Sequence, residues 1–156
     1  MPRKTTSLAA AVAALAVAAP SAHATDASLR QTIRQQDAKT KPDAKAFAQA
    51  AAHFAQSGDS NSLRSATAKL FTDVKQTRSA VASQKASTAK VAKGRVLYLA
   101  SLTRMGRGLQ SFDTAIVELQ KGRKSKAKKL AVRAERQISA ANASGTRAEK
   151  MIGVKS

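Results

Sequence analysis

Residues 98–119 read YLASLTRMGRGLQSFDTAIVEL, and their apolar members recur at alternating steps of four and three: Tyr98, Leu102, Met105, Leu109, Phe112, Ile116 and Leu119. That spacing belongs to a helix that lays one narrow stripe into a partner by knobs-into-holes packing. A half-buried strand would alternate at every second residue, which this stretch does not do. The seam predicts a helix over about 95–121 and makes the fold class all-α.

Working outward, the turn signals divide the rest of the chain. Gly58 in SGDSNS, Gly94 in AKGRV and Gly122 in QKGRK stand at nearly even intervals. Glycine adopts the left-handed backbone that closes a helix at least cost, so each is read as a helix end. The expected helices are about 26–57, 60–93, 95–121 and 124–152. Pro42 lacks the N–H that a helix interior uses, so the first helix is expected to break near 39–42, between a Leu29/Ile33 stripe and a Phe47/Ala51/Phe54 stripe. The second carries Leu63, Leu70, Val74, Val81 and Val91 behind the capping candidates Asp59, Ser60, Asn61 and Ser62. The fourth carries Leu130, Ala134, Ile138, Ala141, Ala148 and Ile152, whose small side chains predict close approach to a neighbour.

Long helices joined by short loops run antiparallel. The expected architecture is therefore an up-down four-helix bundle with a broken first helix. The alternative is an extended helical coiled coil, because the heptad phase from Leu63 to Leu119 passes through Gly94; Gly94, Gly106 and Gly108 weaken such a helix.

At the N-terminus, Arg3 and Lys4 precede an apolar run from Leu8 to Ala19, followed by Pro20 and the triplet Ala22-His23-Ala24. This is the pattern of a secretory signal peptide over 1–24, with cleavage expected after Ala24. Residues 25–156 would then form one domain in an extracytoplasmic space, secreted or held in the periplasm or cell wall. The apolar run is 12 residues long, short of the roughly 20 that span a bilayer, and no later segment is as apolar, so no transmembrane segment is expected. The chain has no cysteine, which leaves packing as its source of stability.

The charge is lopsided, with 28 basic against 9 acidic residues and a formal net charge of +19. Such an excess draws a protein toward polyanions. It gathers in KGRKSKAKK, residues 121–129. A face that served only solubility would mix both signs, and acids are nearly missing here. Lys121, Arg123, Lys124, Lys126, Lys128 and Lys129, with Arg133 and Arg136 along the last helix, are the candidate polyanion-binding residues. The expected partner is an anionic polymer or an anionic membrane or wall surface. Sequence-specific reading of nucleic acid is not expected, since Tyr98 is the only tyrosine, tryptophan is absent, and the four phenylalanines suit a core.

No enzymatic activity, cofactor or metal is expected. The nine acids are scattered, and His53 has no cysteine to complete a zinc site. The MGRG stretch around Gly106 follows no strand and lacks the spacing of a phosphate loop. The alternative function is a structural bundle of the cell envelope that forms a homo-oligomer through the third-helix seam.

Overall fold

The computed structural model describes residues 22–154; the expected leader up to residue 21 lies outside them. Four helices follow one another: α1 (Ala22–Ser57), α2 (Asn61–Ala82), α3 (Ala89–Gln120) and α4 (Lys124–Ile152). No strand occurs among the described residues. Successive helices fold back on each other as an up-down bundle. Of the neighbouring pairs, α3 and α4 pack most extensively, α1–α2 and α2–α3 less so, and the backbones of α1 and α4 barely meet.

The α3–α4 contact rests on small residues. Gly94, Ser101, Gly108 and Ala115 fall seven residues apart on α3, and all are buried; Ala127, Ala134, Ala141 and Ala148 do the same on α4. A methyl group on Gly108 would lie 2.7 Å from Ile138 Cγ1 and 3.3 Å from the Ala134 carbonyl oxygen. One on Gly94 would lie 2.8 Å from Ile152 Cγ1 and 3.2 Å from the Ala148 oxygen. The larger side chains build two clusters. Leu29, Ile33, Val81, Val91, Tyr98, Ala148 and Ile152 close the pole that holds the start of α1. Leu70, Val74 and Leu109 form the middle, with Phe47, Met105 and Ile138 packed against them.

Two expectations are corrected. The first helix does not break near 39–42: α1 runs through Pro42 to Ser57. Pro42 is exposed, and so is Ala38, whose carbonyl loses its helical partner; water can serve that oxygen, so the ring interrupts a hydrogen bond without ending the helix. Nor does Gly94 separate the second and third helices. The turn lies at 83–88, Thr88 caps α3 in extended conformation, and Gly94 and Val91 sit inside α3. The polar run from Ser83 to Thr88 supplies the break, while Gly94 serves helix packing. That turn also excludes the single extended coiled coil. Gly58 and Gly122 do stand at helix ends with φ of +72° and +74°.

Side chains from neighbouring helices tie off the helix ends. At the pole where α1 starts, Asp26 is 2 % exposed. Its Oδ1 accepts the Ser87 N–H at 2.9 Å and its Oδ2 accepts the Thr88 hydroxyl at 2.7 Å, so an acid faces the positive end of α3. Arg95 donates to the Val81 and Ala82 carbonyls at the end of α2, and Arg30 donates to the Ile152 carbonyl at the end of α4. Each cation thus meets the negative end of a helix dipole. Burial alone would raise the Asp26 carboxyl, but the bonds from Ser87 and Thr88, with Arg30 nearby, hold it below its ordinary 3.8. At the opposite pole, Ser60 accepts a 2.6 Å bond from Gln120 Nε2, which joins the start of α2 to the end of α3.

Gly108→Ala should lower stability by about 1–3 kcal/mol through overpacking against the α4 backbone. Gly145→Ala, whose methyl meets only Ser101 Oγ at 3.5 Å, should instead gain up to about 1 kcal/mol from helix propensity; denaturant titration followed by circular dichroism reads both. Asp26→Asn should lose about 1 kcal/mol at neutral pH through its capping bonds. Because the folded carboxyl is depressed, its contribution is complete above the unfolded value near 3.8 and is lost as pH falls through the folded one. The difference from wild type should therefore close below that value.

Candidate functional site

The turn between α3 and α4 is built by backbone geometry. Gly122 takes the left-handed conformation, its N–H bonds the Leu119 carbonyl at 2.9 Å, and the Arg123 N–H reaches back to the Glu118 carbonyl at 2.9 Å. This paired closure satisfies the last carbonyls of α3 and sets α4 going after three residues. Lys121 is the cap of α3, Arg123 the cap of α4, and Lys124, Lys126, Lys128 and Lys129 follow within the first two turns of α4. All six are exposed, as are Arg133 and Arg136 farther along α4.

Glu118 organises this tip. Its side chain is 7 % exposed, and Oε2 accepts Arg123 Nη1 at 3.2 Å and Lys126 Nζ at 3.3 Å. Burial alone would raise its carboxyl, and the two cations outweigh that and hold it below its ordinary value. Repulsion between cations at the positive end of α4 is thereby relieved for two of them. Lys121, Lys124, Lys128, Lys129, Arg133 and Arg136 make no ion pair among the described residues. The eight candidates thus divide into two anchored and six unpaired cations. Sequence reasoning gave Glu118 no role; the one signal available was that it is the only acid within the last turn of α3 beside the basic run.

Several of the remaining acids link neighbouring helices. Asp113 pairs with Arg64 at 3.2 Å and Asp43 with Lys69 at 2.8 Å. Beside them, burial and the nearby Asp43 raise the Asp73 carboxyl, whose Oδ2 is buried without a hydrogen-bond partner. Asp37 accepts the Tyr98 hydroxyl at 3.0 Å. Burial and then the Asp37 charge push the Tyr98 phenol far above its ordinary range. Burial likewise raises the Asp37 and Glu149 carboxyls.

A second feature, which sequence reasoning did not find, is a series of hollows along α4, the one nearest the tip walled by α3 and α4 and the next two walled by α1 as well. Near the basic tip a hollow of about 230 Å³ is lined by Lys124, Lys128, Phe112, Ile116, Leu119 and Ala131. It shares Phe112, Lys128 and Ala131 with a groove of about 550 Å³ that also takes in Phe47, Val132 and Ile138. That groove shares Phe47, Ile138 and Asn142 with a cleft of about 520 Å³ lined by all four helices, in which Tyr98, Leu102 and Leu109 lie, with Asp37 and Glu149 also lining it. Phe47 and Phe112 meet edge to face at 5.5 Å in the wall of the groove.

His53 is exposed, with Nδ1 3.2 Å from Ser57 Oγ. Among the described residues no three histidine, cysteine or acidic side chains are grouped to hold a metal, and no helix is long and apolar enough to cross a membrane. No protein-family model, curated protein or solved structure matches this chain.

Proposed function

We propose that the protein is a non-enzymatic binder of an anionic polymer or surface outside the cytoplasm, and that the α3–α4 tip and the outer side of α4 form its contact. The observation that carries this reading is the division of charge at the tip. Buried Glu118 neutralises Arg123 and Lys126, while six neighbouring cations stay exposed and unpaired. A face kept only for solubility gains nothing from such segregation. The extracytoplasmic placement rests on the leader pattern that ends at Ala24.

Contacts of this kind are made with phosphates or sulfates as point charges, so they are salt-sensitive and indifferent to base sequence. Association through the third-helix seam has less to support it. Tyr98, Leu109 and Ile116 are buried within the chain, and of that stripe Leu119, 39 % exposed, is the member left on the surface.

Retention on immobilised heparin tests the reading. Changing Lys124, Lys128 and Lys129 together to Gln should bring elution to much lower salt than changing Lys75, Lys85 and Lys90, a charge-matched set on α2, the following turn and α3. On duplex DNA the same tip variant should reduce the slope of log affinity against log salt by about 0.9 for each phosphate it no longer neutralises. Lys126→Gln alone should cost less binding than Lys129→Gln, because Lys126 is committed to Glu118. Equal shifts from the two triple variants would show that net charge alone governs retention and would sink the focused site.

A further inference from the structure

We propose that the α1–α4 groove is a binding site for a free long-chain fatty acid, its carboxylate held at Lys124 and Lys128 and its chain laid along α4 toward Tyr98. The three hollows succeed one another along α4 and share wall residues. A chain threaded through them in turn would use them as one furrow. From Lys128 to Gly145 it follows 17 residues of α4, about 26 Å at 1.5 Å per residue, which suits an elongated ligand and not a compact one.

The walls change character along that length. Phe112, Val132, Phe47 and Ile138 present apolar surface through the middle, where a hydrocarbon chain removes from water both its own surface and theirs. At the tip end, Lys128 lines both the hollow and the groove, and Lys124 lines the hollow. Neither lysine makes an ion pair among the described residues. At the far end stand Asp37 and Glu149, whose carboxyls are already raised by burial. Glu135 lines the groove about two helical turns beyond Lys128. An anionic head is therefore favoured at the lysine end and opposed everywhere else along the furrow. That asymmetry fixes the polarity of the ligand and distinguishes a fatty acid from a cationic or neutral amphiphile.

This site does not depend on the polyanion reading. The two sites share Lys124 and Lys128, but heparin retention also draws on Lys129 and the other outward cations, whereas the groove is defined by its apolar walls, so loss of heparin retention with dodecanoate binding intact, or the reverse, separates the two.

Calorimetric titration of the delipidated full-length protein with submicellar dodecanoate tests the proposal. The expected result is saturable one-to-one binding, at least tenfold weaker for dodecyltrimethylammonium, which has the same tail and the opposite head. Affinity should rise by up to about fourfold for each methylene between decanoate and tetradecanoate. Ala131→Trp, at a residue that lines both the hollow and the groove, should abolish binding. Val132→Glu, at a position 39 % exposed, should weaken it at least tenfold with the fold retained by circular dichroism. Absence of saturable binding, equal affinity for the two head groups, or binding unaffected by Val132→Glu would each overturn the site.

Discussion

The bundle depends on how closely α4 can approach α3. Helix axes pack about 8–10 Å apart according to the side chains between them, and here glycine, serine and alanine stand at seven-residue intervals on one helix facing alanines at the same interval on the other. Backbone then meets backbone, as the Ala134 and Ala148 carbonyls beside Gly108 and Gly94 show. The bulky side chains of α3 are left for the other neighbours: Tyr98 reaches α1, and Leu109 joins Leu70 and Val74 of α2. With α4 drawn against α3, α1 cannot pack equally well on both of its flanks. It settles on α2, and the furrow along α4 is what remains.

Electrostatics follows a similar division. In a chain this basic, four of the nine acids serve as counter-charges at defined places. Asp26 caps α3, Glu118 steadies the first turn of α4, and Asp43 and Asp113 link α2 to its two neighbours. Placing these carboxylates at joints between helices leaves a surface dominated by lysine and arginine. The same distribution that fastens the helices produces the cationic exterior, most sharply around the α3–α4 turn, where the one acid faces inward.

The fold class and helix number were legible because they depend on periodicity, which is local. The stripe from Tyr98 to Leu119 and the alanines of α4 mark their buried faces without knowledge of the partner. What misled was punctuation. Gly94 has the same tripeptide context as Gly122, and only the neighbouring helix decides that Gly122 closes α3 while Gly94 lies inside it. Pro42 is tolerated because it faces water, a property of the assembled bundle. Thr67 and Thr77 are buried on the α2 stripe in heptad register with Leu63, Leu70, Val74 and Val81, yet a hydrophobicity count passes over them. The cationic run was visible at once, but its division by Glu118 was not, since that requires the turn at Gly122. The furrow depends on how sparsely the first and last helices meet beyond their shared pole, and no local pattern records such a gap.

The clasp at the α1 pole also bears on the order of assembly. The α3–α4 hairpin closes across a three-residue turn, whereas Arg30 meets Ile152 from 122 residues away and Asp26 meets Ser87 from 61 away. Loop closure costs more for the longer separations, and elements rich in local contacts form faster. The C-terminal hairpin is thus the natural nucleus, and the clasp that ties the start of α1 to α3 and α4 is the last contact to close. Until it does, the Leu29 and Ile33 stripe lacks its α4 partners and the Ala148–Ile152 end of α4 lies open. Synthesis thus delivers one side of this clasp long before the other, and in the interval that pole of the core is exposed.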